Sequence, residues 1–143
     1  MSIESNKKSA RHLVEDGLNK NNMAVIDEVI SAKDVEHALP PGMPPTLAGF
    51  KMFISAFIAA FPDVHYTIDH EVAEGNLITH FLTGTGTMKG DFQGIKATNK
   101  KGTWSEMHLG RFEGDQIVEH WAVVDQLGML ISVGAMQPPG AQH

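Results

Sequence analysis

Two stretches near the C-terminal end set imidazoles and carboxylates into otherwise apolar runs: TWSEMHLGRF (103–112) and QIVEHWAVV (116–124). Histidine is the side chain whose unperturbed pKa lies nearest neutrality, so a neighbouring charge or burial decides whether it gives or takes a proton. Read as a strand, the first stretch puts Trp104, Glu106, His108, Gly110 and Phe112 on one face and Ser105, Met107, Leu109 and Arg111 on the other. Aromatics, a small residue and two titratable groups on one face suit a ligand pocket better than solid packing or a wet surface. The chemistry they could do is proton transfer, with His108 as acid/base, His120 assisting, and Glu106 or Asp125 orienting one of the rings. Each group also has a plainer reading. The two histidines could be buried rings bonded to backbone, and Asp125 reads as the cap of a last helix.

Whether His108 and His120 share a face depends on the EGDQ hairpin (113–116). A plain two-residue turn at Gly114-Asp115 sets His108 opposite Trp121, with Glu119 on the same side. One bulged residue sets His108 with Val118, His120, Ala122 and Val124 instead. On the residues alone both registers stay open.

The rest of the chain must position these groups. Apolar spacing predicts a helix over 2–19 and a shorter one over 23–30, then a short strand over 33–39. PPGMPP (40–45) is a loop that could serve as a lid. TLAGFKMFISAFIAAF (46–61) is the clearest helix, capped by Thr46 and carrying a phenylalanine stripe. Beyond FPD the period becomes two. Val64, Tyr66, Ile68, His70 and Val72 fall on one face of a strand, with His65, Thr67, Asp69 and Glu71 on the other. Strands follow over 77–88, 103–112 and 116–124, then a helix over 126–133. Helices followed by a run of long antiparallel strands make an α+β pattern. A curved sheet wrapped around the long helix leaves a pocket, for which Phe53, Phe57, Tyr66, Trp104, Glu106, Trp121 and Ala122 are candidate lining residues. His37 and His80 lie in predicted strands and join them. The chain has neither a close His-x-His pair nor His-Glu-x-x-His, so no metal is expected.

Composition narrows the classes. A chain of 143 residues fits one domain, expected over 1–134 with a flexible tail over 135–143. The net charge of −6, with Arg11 and Arg111 the only arginines, argues against a nucleic-acid groove. No apolar run is long enough to cross a bilayer. The absence of cysteine and of an apolar leader fits a cytoplasmic protein.

FPDVHYTIDHEVAEGNLITHFLTGTGTMKGDFQGI, followed by RFEGDQIVEHWAVVDQLGML, resembles the SnoaL-like polyketide cyclase family, within the nuclear transport factor 2-like superfamily. The likeness runs from about Ala10 to Gly134. It implies a cone-shaped, curved antiparallel sheet closed by three helices and assembled as homodimers or homotetramers. It also implies intramolecular aldol ring closure of a polyketide-like substrate, with no metal or cofactor. In that chemistry a histidine, matching His108, works with an aspartate directly after the tryptophan of the last strand. Here that position is Ala122. The resemblance sets His108 and position 122 in one pocket and so favours the bulged hairpin. Gly86 stands where many relatives have histidine, and the hairpin after GTGT is about two residues longer than usual. Binding of an apolar ligand without turnover, or a dehydratase or isomerase reaction, are the alternatives on the same fold.

Overall fold

The structure, a computed structural model, describes residues 2–140. Helix α1 (Ile3–His12) opens on a capping box in which Ser2 Oγ accepts from Ser5 N and Ser5 Oγ accepts from Ser2 N, both at 3.0 Å. The predicted long helix then widens into a π-helical segment, Leu13–Leu18, closed by Asn19 N donating to Val14 O at 3.0 Å. Gly17 lets that segment rest on Val25 and Ile26 of α2 (Met23–Val29). The chain passes directly into β1 (Ile30–Glu36), so this strand starts three residues earlier than expected and ends before His37. Ile30 turns extended because its partner is Ile117 of the last strand, a contact no local pattern announces.

Helix α3 (Leu47–Ala60) buries Phe50, Ile54 and Phe57, and Thr46 caps it. Gly49 is required there: a Cβ would lie 1.8 Å from the Pro44 carbonyl, so only glycine lets the 40–45 loop fold back over the helix start. Strands β2 (His65–Glu74), β3 (Leu77–Thr87), β4 (Lys101–Glu113) and β5 (Gln116–Val124) follow, and α4 (Gln126–Ser132) ends the series. Ala135 N still donates to Leu130 O at 2.8 Å, so the expected tail is tied down at its start; 141–143 lie outside the described residues.

The curved sheet runs β1-β5-β4-β3-β2. Four strands are antiparallel, as expected, but β1 joins β5 in parallel, so the sheet is mixed. Two bulges decide which side chains face the helices. The β4–β5 turn is the plain two-residue one, Gly114 and Asp115 both having positive φ, yet the register shifts one step later, around Val118. His108 therefore pairs with Ala122 and Gly110 with His120. The second bulge, at Asp69, separates Ile68↔Leu82 from His70↔Phe81. It corrects the reading of that strand: beyond it the faces exchange, His70 and Val72 turn outward, and Glu71 turns in opposite His80. Among the described residues, no helix is long and apolar enough to cross a membrane.

Candidate active site

Between α3 and the sheet lies a cavity of about 430 Å³. Leu13, Val14 and Leu18 of the π-helical segment, Phe50, Phe53 and Phe57 of α3, and Phe92 of the 89–100 loop supply much of its apolar wall. Pro40 and Pro41 of the 40–45 loop border it. One row of cross-strand partners supplies Glu71, His80, His108 and Ala122 on the inner face of the sheet. The adjacent rows add Glu106 and His120, and β1 adds Glu36 beside His120.

Of the residues singled out in the sequence, Phe53, Phe57, Tyr66, His80, Glu106, His108, His120 and Ala122 line this cavity. The others lie elsewhere, for local reasons. His37 follows inward-facing Glu36 and so alternates to the outer side, where it stacks on Trp121 (centroids 5.0 Å apart) and bonds Glu119 at 2.8 Å. Trp121 alternates outward because His120 and Ala122 both face in. Trp104 is on the inner face but lies beneath Phe57 and Phe61, in space left by Gly84, and reaches the site only by donating Nε1–H to Glu106. Asp125 is exposed and accepts from Gly128 N at 2.9 Å, which makes it the cap of α4 and not a cavity residue.

The inner polar groups form one chain. Glu36 Oε1 lies 2.7 Å from His120 Nδ1; His120 Nε2 lies 2.9 Å from His108 Nδ1; His108 Nε2 lies 2.7 Å from Glu106 Oε1. Trp104 Nε1 donates to the other Glu106 oxygen at 2.8 Å. Burial pushes the Glu106 carboxyl up, but the bond and charge of His108, with help from Trp104 and Tyr66, outweigh it and hold the group below its ordinary range. Glu106 is thus the anion of the site. Burial, then the nearby His108, pushes His120 down to about 3, so its ring stays neutral. Burial raises Glu36. Burial, then Glu36, raises the neighbouring Asp34 to about 8. Both Asp34 oxygens and Glu36 Oε2 are buried without a hydrogen-bond partner, and a proton on Asp34 could join one of its oxygens to Glu36 Oε2.

Three hydrogen bonds along the chain need three protons, and the network assigns their places. With Glu106 ionised, His108 Nε2 carries the first. A neutral His120 then allows two arrangements. In one, Glu36 is protonated and both imidazoles are neutral. In the other, Glu36 is a carboxylate and His108 an imidazolium. The two contain the same protons and differ by one shift across each of two short bonds. The chain can therefore place positive charge on the cavity wall at His108 without drawing a proton from solvent.

A second unit lies beside it. Glu71 accepts from Arg11 Nε at 3.1–3.2 Å and bonds His80 Nε2 at 2.7 Å. Burial pushes Glu71 up, yet its bonds to Arg11 and His80 hold it low. Burial, opposed by Glu71, keeps His80 below its ordinary value. Sequence reasoning missed Asp34, Glu36 and Glu71. A signal existed for the first two, which alternate on one face of a recognised strand; for Glu71 the bulge at Asp69 hid it. Among the described residues, no three histidine, aspartate or glutamate side chains are grouped so as to hold a metal ion.

The SnoaL-like polyketide cyclase family model matches residues 8–132. TsrD from Streptomyces laurentii superposes with a TM-score of 0.86 at 20% identity, covering 95% of this chain and 99% of that one. AclR from Streptomyces galilaeus, for which hydroxylase activity is proposed, gives 0.83 at 23%, covering 94% and 99%. IdmH from Streptomyces antibioticus, for which polyketide cyclase activity is proposed, gives 0.81 at 25%, covering 90% and 98%. Among curated proteins none matches significantly. With most of its length matched by the family model and this sheet-and-helix architecture shared with those structures, the chain belongs to the SnoaL-like polyketide cyclase family.

Proposed function

We propose that this protein is a cofactor-independent acid/base enzyme that folds a flexible, largely apolar polyketide-type substrate and closes a ring by intramolecular aldol condensation. One observation carries the reading: His108 sits in an apolar cavity within an unbroken chain of hydrogen bonds from Glu36 to Glu106. Ring closure needs little beyond a reactive conformation, a proton acceptor and stabilisation of charge on oxygen. His108, oriented by Glu106 and supplied through His120, is the residue whose protonation answers charge on the substrate oxygen. As negative charge grows on a substrate oxygen, the imidazolium arrangement of His108 becomes the favoured one, and the low dielectric strengthens that attraction. The carboxylate that the resemblance expects after the last-strand tryptophan is replaced by Ala122, directly opposite His108. Glu106, two residues along β4, supplies the site's anion instead.

The protein works as a homodimer or homotetramer in the cytoplasm on this reading. Its outward face carries Met107 and Val123 as exposed cross-strand partners, an apolar surface that a second copy would cover.

The test is turnover of polyketide-type precursors carrying two carbonyls. His108→Ala should lower it by about 10²–10⁴-fold while the protein stays folded. Native turnover in a folded His108→Ala protein would remove the assignment. Ala122 itself favours a second reading, binding of an apolar ligand without chemistry. Thermal stabilisation by such precursors with no product formed is the result that selects it.

A further inference from the structure

Every nitrogen of His108 and His120 is engaged in the chain from Glu36 to Glu106, so neither ring offers a free lone pair to an incoming C–H. His80 differs. It is a cross-strand partner of His108, so their Cβ atoms lie about 5 Å apart on the inner face. Its Nε2 is held at 2.7 Å by the Glu71 carboxylate, itself clasped by Arg11, which fixes the proton on Nε2. The other nitrogen, Nδ1, bonds no described residue and is not among the polar atoms sealed within the packing, while the ring lines the cavity.

We propose that His80, held in one tautomer by Glu71 and Arg11, is the base that removes the substrate's acidic hydrogen, while the His108 chain stabilises the oxygen charge that results. This assignment rests on the aldol reading and completes it. The C–H bond next to a carbonyl breaks and its proton goes to His80 Nδ1, forming an imidazolium paired with the Glu71 carboxylate. The electron pair moves onto the carbonyl oxygen, facing His108. The enolate carbon then bonds to the second carbonyl carbon, whose π pair moves to its oxygen, and that alkoxide takes the proton back from His80. Nothing is oxidised or reduced. Glu71 and Arg11 are positioning residues in this scheme: they set which nitrogen is free.

The partial reaction isolates the role. In D₂O the protein is given a bicyclic aryl ketone with α-hydrogens and no second carbonyl, so that deprotonation is possible and ring closure is not. The native protein is expected to speed α-deuterium incorporation. His80→Gln and Glu71→Gln should each lower that rate by about 10²-fold or more while binding of the ketone, read by thermal shift, stays within about threefold. Ring-nitrogen NMR should show His80 unprotonated at Nδ1 and protonated at Nε2 at neutral pH, a pattern lost in Glu71→Gln. Native-like exchange in a folded His80→Gln protein, or a proton on Nδ1, overturns the assignment and leaves the proposed function standing. Failure of the native protein both to exchange the ketone and to turn over two-carbonyl precursors overturns the two together.

Discussion

The two faces of β2–β5 are built from alternate residues of the same strands, and in their central rows they invert the usual distribution. The row Glu71–His80–His108–Ala122 points inward, while Val72–Thr79–Leu109–Trp121 and Phe81–Met107–Val123 point outward. Charged and titratable groups are thus enclosed, and Val72, Met107 and Val123 are exposed, at 62%, 46% and 75%. An enclosed polar group is costly unless bonded, and the inner side chains meet that cost with short, mutually oriented bonds. The outer ones meet no such constraint within one chain. On the proposed reading the difference separates two roles: the inner face moves protons, and the outer face is covered by a second copy.

Substitutions on the two faces should therefore separate activity from assembly. The largest effect belongs to His108→Ala, which should remove turnover and leave the oligomeric state intact. Glu36→Gln comes next: it keeps a hydrogen bond to His120 but cannot pass a proton along it, so turnover should fall about tenfold, ~1.4 kcal/mol in the barrier, with Tm little changed. On the outer face, Val123→Glu should weaken self-association by about 2 kcal/mol, read by sedimentation, while turnover per chain stays native. Turnover lost together with assembly would show that the faces are not independent. The remaining effect is on stability and its pH dependence. Asp34 holds in the folded state a proton that the unfolded chain releases above about pH 4, because its pKa is raised to about 8. The stability this site contributes is thus complete at low pH and declines as pH rises from about 4 toward about 8. Asp34→Asn should flatten that decline: its Tm relative to the native protein should be higher at pH 8 than at pH 5.

Much of this arrangement is legible in the sequence. The 3.6-residue period of 46–61 and the two-residue period of 77–87, 101–113 and 116–124 give α3 and three long strands, because those segments bury one face each. Period alone does not cross a bulge. At Asp69 it puts His70 inside and Glu71 outside, and the pairing with β3 reverses them. At Val118 the residues left two registers open, and only the family likeness chose between them. Local spacing starts β1 three residues late because its parallel partner, β5, lies more than eighty residues away, and it places His37 within a strand that ends at Glu36. Trp104 was on the expected face, but whether an indole lines a cavity or supports its wall is a matter of packing against Phe57, Phe61 and Gly84. The Asp125 side chain caps α4, which is the plainer of its two readings.

The wiring of the inner face can be tested without knowing the substrate. A ring-nitrogen NMR titration of the histidines reads the protonation of His120 and its bond to His108 directly. The His120 ring is expected to stay singly protonated from pH 8 down to about pH 4, with scalar coupling across the nitrogen–nitrogen hydrogen bond. A His120 ring that gains its second proton near pH 6.5 like a free imidazole, or shows no coupling to His108, would contradict it.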